Sequence, residues 1–214
     1  LISHPIQAIK MRKDTIKHYP LSYYAFLKDL KKHGNAPDAI GIQSHMHMKV
    51  FPISALWSQL EKYSKLGLPL HFTEVTVLSG KTRRMINFYD AKKNLPWLST
   101  PKGERGQAQY LEIFYTVLFS RPEVEAITWW DFSDKDAWLS APAGLVRSDL
   151  SPKPAYYALH YLIREKWWTN FEGKTDPAGK IHFRGFCGQY RLEVPETETG
   201  FYFQIDCRKE EGQK

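Results

Sequence analysis

No stretch of this chain stays apolar for the roughly 20 residues that a bilayer-spanning helix needs, which excludes a helical membrane anchor within it. It also lacks a charged-then-apolar leader with a small-residue cleavage site. Its first residue is Leu1, not Met, so the chain reads as processed or as a fragment, and the missing leader says nothing of compartment. Internal repeats and low-complexity tracts are absent. A net charge of +7 raises the question of nucleic acid, but the basic residues are not interleaved with stacking aromatics and sit on no recognised motif. The clusters Lys10, Arg12, Lys13 and Lys17, then Lys28, Lys31 and Lys32, then Lys81, Arg83 and Arg84 read as solvated faces. Cysteine is scarce, with only Cys187 and Cys207. They read equally as a bridge between neighbouring strands, closing a loop worth about 3 kcal/mol in chain entropy, or as two buried thiols.

What is present is a core-forming sequence, 43% hydrophobic over 214 residues, punctuated at helix and strand periods. Residues 1–19 show no sustained period and receive no assignment. From Leu21, the positions Tyr23, Tyr24, Phe26, Leu27 and Leu30 recur at helical spacing until Gly34 closes the helix. A strand follows over 39–43, a helix over 53–66 and a strand over 70–74. Further helices are expected over 104–120 and 155–166, with a third strand over 124–130 between them. Strands alternating with helices of this length imply crossover units and a parallel sheet. After Trp168 the texture turns to glycine-punctuated short runs near 181–186, 190–194 and 201–205, a small antiparallel β appendage with its boundary near residue 169.

Glu74 ends the apolar pattern Leu70-His71-Phe72-Thr73 where a turn residue is expected. In α/β architectures the ligand crevice lies at the carboxyl ends of the strands, so a carboxylate there is a candidate site residue. Gln43, His45 and His47 are spaced by two and project to one side if their strand persists that far, lining one mouth with Glu74. His45 and His47 also admit a metal reading by their H-x-H spacing, with His71 and Asp131 as further ligands. His71, three residues before Glu74, sits too deep for that role. Trp129 and Trp130 offer flat faces on which sugar rings stack, but by parity one of them must point into the helical layer, so only one is a site residue.

Gly41-Ile42-Gln43-Ser44-His45, Phe72-Thr73-Glu74, Ile127-Thr128-Trp129-Trp130 with Asp134 and Trp138, and Ser151-Pro152-Lys153-Pro154-Ala155-Tyr156 together resemble glycoside hydrolase family 10. The resemblance covers about residues 20–168, and Phe183-Arg184-Gly185-Phe186 looks like the β extension that some members carry. It implies the carboxyl-terminal part of a (β/α)8 barrel over 1–168, an appendage over 169–214, and a retaining endo-β-1,4-xylanase that needs no metal or organic cofactor. Its partners are then xylan or xylo-oligosaccharides, and its location is extracellular or periplasmic. By the same resemblance Glu74 is the nucleophile, His45 its hydrogen-bonding neighbour, Gln43 a sugar contact, and Trp130 and Trp138 the stacking platforms. Two departures stand out. No Asn-Glu pair, the family's acid/base motif, occurs before Gly41, and Thr76 stands where many members have an Asp. The rival expectations are a carbohydrate-binding remnant without catalysis and a metal-dependent barrel hydrolase that uses His45 and His47.

Overall fold

The computed structural model describes residues 2–3, 22–82, 97–194 and 199–206. Two compact units divide the chain, residues 1–159 and 160–214, parting inside the last helix and earlier than the change of texture near residue 169.

The first unit is built on four parallel strands in chain order: β1 (Ile2–Ser3), β2 (Ile40–Met46), β3 (Leu70–Val77) and β4 (Val124–Trp129). Helices α1 (Tyr23–Lys32), α2 (Ile53–Ser64) and α3 (Pro101–Phe119) connect them, as a parallel sheet requires. The sequence pattern shows three of these strands. The fourth, β1, is two residues long, too short to display any period, and pairs Ile2 with Gly41 and Ser3 with Ile42.

The helices begin where local chemistry supplies caps. Ser22 accepts a hydrogen bond from the Ala25 N–H at 3.3 Å, and Thr100 accepts one from Gly103 at 3.0 Å just ahead of Pro101, which needs no partner for a missing N–H. Gly34 and Gly67 then take φ of 75° and 61° after α1 and α2, the left-handed conformation that lets a helix end sharply. Between helices and sheet lies an apolar layer that includes Leu27, Ile40, Leu56, Leu60, Leu70, Phe72, Val75, Leu111, Phe114 and Leu118, all buried. Phe72 of β3 meets Phe114 of α3 edge to face at 6.0 Å, a favourable aromatic geometry.

At the amino end of α3 the backbone comes unusually close to Ser79, just past the end of β3. A Cβ on Gly103 would lie 2.0 Å from the Ser79 carbonyl oxygen, so only glycine fits there, whereas Gly106 three residues on faces open space.

Unit two opens with the end of α4 (Pro154–Tyr161), which continues as a π-helical turn over Leu162–Lys166. Its sheet is a single antiparallel hairpin, β5 (Gly188–Val194) with β6 (Thr199–Ile205), in register from Gly188 opposite Ile205 to Val194 opposite Thr199. The strand expected near 181–186 does not form. Side chains hold that segment in place of a ladder: Phe186 N–H donates to Thr169 Oγ1 at 3.1 Å, its carbonyl accepts from Tyr190 Oη at 2.6 Å, and Phe183 stacks on Phe171 at 5.6 Å. Tyr190 and Phe203, paired across the hairpin, stack at 5.3 Å. Cys187 is disulfide-bonded, and Cys207 lies outside the described residues.

Candidate active site

β2 runs on to Met46, so the alternation from Gln43 through His45 holds. β3 differs from its expected form. It does not stop at Glu74 but continues to Val77, and strict alternation would put Glu74 on the same face as Phe72, among the helices. A bulge prevents this. Ile42 pairs with Phe72 while its neighbour Gln43 pairs with Glu74, so Thr73 is a surplus residue that shifts the phase of the strand. Phe72 and Val75 thereby both reach the apolar layer, and Glu74 and Thr76 come opposite Gln43 and His45.

The carboxylate is held at both oxygens. Gln43 Nε2 donates to Glu74 Oε1 at 2.7 Å, and His45 Nε2 meets Oε2 at 2.6 Å. An ionised carboxylate only accepts, so the imidazole is the donor in that contact. His45 Nδ1 lies 3.0 Å from Thr76 Oγ1. A hydroxyl accepts from an N–H and also donates to a bare ring nitrogen, so Thr76 fits either form of the imidazole, where an aspartate would favour the cation. Glu74 is 8% exposed and fixed in place before any ligand arrives.

Three rings pack around His45. Trp138 lies at 4.6 Å, Trp130 approaches edge-on at 5.7 Å, and His47 sits at 5.5 Å. Trp130 is 44% exposed, whereas Trp129 turns to the helices, facing Tyr115 of α3 at 6.5 Å and donating its indole N–H to the Ala143 carbonyl at 3.1 Å. Parity alone left the two tryptophans interchangeable, and the structure assigns the open one as Trp130.

His47 is buried, lies edge-on to Trp138 at 5.1 Å, and its Nε2 finds no hydrogen-bond partner among the described residues. Burial, with a further contribution from His45, pulls its pKa down to about 4, so the ring is neutral at ordinary pH.

The metal arrangement does not assemble. Both nitrogens of His45 are engaged, His71 pairs with Glu125 on β4 at 3.5 Å, and Asp131 accepts the Trp138 backbone N–H at 3.0 Å. Among the described residues no three His, Cys, Asp or Glu side chains cluster as a metal would require.

Trp138 rides on a loop that folds back on its own base. Asp134 N–H donates to the Val146 carbonyl and Val146 N–H to the Phe132 carbonyl, both at 3.0 Å. Near its tip Asp136, Leu139 and Ser140 adopt φ of 57°, 61° and 51°, left-handed conformations that cost on the order of 1–3 kcal/mol each in residues other than glycine.

Beneath the loop lies a buried polar cluster that sequence reasoning missed. Lys153, fully buried, donates to Asp134 Oδ1 at 2.7 Å and to Ser79 Oγ at 2.9 Å, and the same Asp134 oxygen accepts Gly144 N–H at 2.8 Å. Ser99 Oγ joins Ser79 to Glu104, and Arg147 grips both Glu104 oxygens at 2.9 and 2.6 Å. Burial pushes the Lys153 pKa down and its partner Asp134 pulls it back up, with a net lowering. Glu104 sits below the usual carboxylate range because its bonds to Arg147 and Ser99 outweigh the effect of burial. A lysine in a proline-rich loop reads as solvated, and the sole signal against that reading was its place in the Ser151–Tyr156 motif.

The site is thus a fixed carboxylate beside an exposed indole on a parallel β/α sheet. Comparison with protein families narrows this further: the profile of glycosyl hydrolase family 10 matches residues 11–161, and the chain belongs to that family. Among curated relatives, anti-sigma-I factor RsgI6 of Acetivibrio thermocellus is 30% identical over 178 residues, 83% of this chain and 20% of that protein. Endo-1,4-beta-xylanase B of Thermotoga neapolitana is 26% identical over 152 residues, 67% of this chain and 39% of that protein. The chain thus spans well under two thirds of the relatives it matches. Among solved structures, xylanase 10B from Thermotoga petrophila RKU-1, in complex with xylobiose, superposes with a TM-score of 0.55 at 28% identity, over 67% of this chain and 41% of that one. The first unit is therefore part of a (β/α)8 barrel.

Proposed function

We propose that this chain is the nucleophile-bearing part of a retaining endo-β-1,4-xylanase. The observation that carries the reading is the Glu74 carboxylate, held by Gln43 on one oxygen and His45 on the other, in a chain of this family. In this reading Glu74 attacks the anomeric carbon of a xylose unit, and the bond from that carbon to the departing oxygen breaks while an acid protonates the oxygen. The resulting ester is then cleaved by water, which gives its proton to the same acid/base group and frees Glu74. His45 orients the nucleophile, Gln43 contacts the sugar, and Trp130 and Trp138 stack against its ring.

The acid/base must lie about 5 to 5.5 Å from the nucleophile. Of the carboxylates on β4 and the loop after it, Asp131 accepts the Trp138 backbone N–H, Asp134 pairs with Lys153 and Glu125 faces His71. We assign the acid/base to sequence outside these residues, in keeping with the missing Asn-Glu pair. The chain alone then binds xylo-oligosaccharides weakly and hydrolyses nothing. The test incubates it with xylan beside a Glu74→Ala control. Release of reducing sugar that depends on Glu74 overturns the assignment of the acid to another segment. In the full-length enzyme, mass spectrometry after a slow fluorinated glycoside should find the label on Glu74, and a label on another carboxylate removes Glu74 from its role.

One observation favours a second reading, a carbohydrate-binding module without catalysis: a relative matching 83% of the chain carries the name of an anti-sigma factor rather than of a hydrolase. Weak oligosaccharide binding by the full-length protein, with no turnover, would select it. An extracellular or periplasmic location belongs to either reading and is supported by the disulfide at Cys187, since such bonds persist in oxidising compartments.

A further inference from the structure

The Ser151–Tyr156 motif carries no chemistry in the proposed reaction, yet its Lys153 side chain is among the largest fully buried ones in the molecule. A buried ammonium is tolerated only where acceptors surround it. Its acceptors are informative. Asp134 belongs to the base of the Trp138 loop and Ser79 to the end of the β3 region, so one cation ties together segments that follow β3 and β4 and precede α4. Asp134 passes the constraint on to Gly144, where a Cβ would lie 2.4 Å from the Ser133 backbone, so the two sides of the loop touch at its base. Ser79 Oγ, in turn, donates to the Pro142 carbonyl at 2.8 Å, so it holds the descending side of the same loop.

The loop needs such a fastening. Asp136, Leu139 and Ser140 flank Trp138 in left-handed backbone conformations, which persist only where the surrounding structure holds them. Trp138 also packs against a small apolar cluster that includes Leu78, Leu139 and Ala141, so its ring follows the loop. It also meets the His45 and His47 rings at 4.6 and 5.1 Å.

We propose that Lys153 is a positioning residue: its ammonium, by holding Asp134 and Ser79 together, sets the placement of the Trp138 indole beside His45 and so the platform offered to a sugar ring. The proposal names a residue that acts through Trp138 and touches no substrate, and its sugar arm rests on the carbohydrate reading of the site.

The test uses the 214-residue chain. Lys153→Met paired with Asp134→Asn removes both buried charges together, so neither is left unpaired, and Ser79→Ala removes one acceptor while leaving both charges. Ring-current shifts on the His45 and His47 carbon-bound protons report the Trp138 position without any ligand. The double variant should move both resonances, and Ser79→Ala should move them in the same direction by less. Titration with xylotriose should show at least a tenfold loss of affinity in the double variant. Unmoved histidine resonances in whichever variant folds overturn the proposal. Failure of the unsubstituted chain to bind xylotriose counts instead against the carbohydrate reading and leaves the ring-shift result to decide the role of Lys153.

Discussion

The same substitution made twice in one helix should act with opposite signs. Gly103 and Gly106 both lie in α3, and helix propensity alone makes Gly→Ala favourable by about 1 kcal/mol at each, through the entropy of the unfolded chain. At Gly106 nothing lies within 4 Å of the added methyl, so the full gain of roughly 0.5–1 kcal/mol should appear. At Gly103 the methyl would stand 2.0 Å from the Ser79 carbonyl oxygen and 2.5 Å from its carbon, both backbone atoms that cannot swing away. The start of α3 must withdraw from Ser79 by about an ångström or more, since Cβ contacts under 3.0 Å are not sustained. That movement strains the bonds from Thr100 N–H to the Ser79 carbonyl at 2.9 Å and from Gly103 N–H to the Thr100 hydroxyl at 3.0 Å. Overpacking costs about 1–3 kcal/mol and a lost cap about 1 kcal/mol more, against the roughly 1 kcal/mol of propensity, so a net destabilisation of about 1–3 kcal/mol follows. For a domain of this size each kcal/mol moves the melting temperature by about 2–4 °C. Thermal unfolding of the two single variants should therefore raise Tm for Gly106→Ala and lower it for Gly103→Ala. Equal shifts of the same sign would refute the close approach of α3 to Ser79.

Two other outcomes follow from the site. His47 is held neutral down to about pH 4 in the folded chain against 6.5 when exposed, so between these values the unfolded state binds more protons and stability falls as pH drops, by up to roughly 3 kcal/mol. Chemical denaturation at a series of pH values should show that slope, and His47→Phe should flatten it. An unchanged slope would show that His47 is not the group responsible. Trp129→Ala should cost about 3 kcal/mol of stability through its packing on α3, while Trp130→Ala should leave Tm nearly unchanged and, on the function proposed above, abolish xylo-oligosaccharide binding, as melting curves and calorimetric titration would show.

The parts of the fold legible in the sequence were those with a period. The Leu27 and Leu30 face of α1, the apolar face of α2 and the strands around Ile42, Phe72 and Ile127 repeat often enough to be recognised. β1 was not legible because two residues carry no period. Ile181–Phe186 misled because it alternates like a strand, while the more distant Thr169 and the nearby Tyr190 bind the backbone of Phe186. Within the site, Gln43 and His45 follow from counting by two, whereas Glu74 stands out only by ending an apolar pattern, since the same count on β3 sends it to the helices. Lys153 escaped notice because burial of a charge depends on acceptors that only the folded chain gathers.

The surplus Thr73 separates what the core requires of β3 from what the inner face presents. From Phe72 to Val75 the apolar layer needs one position on each side, and it is indifferent to whether one or two residues lie between them. Loss of one of the two intervening residues would restore plain alternation and keep Phe72 and Val75 in the core, and which of Thr73 and Glu74 is left decides whether a hydroxyl or a carboxylate faces Gln43.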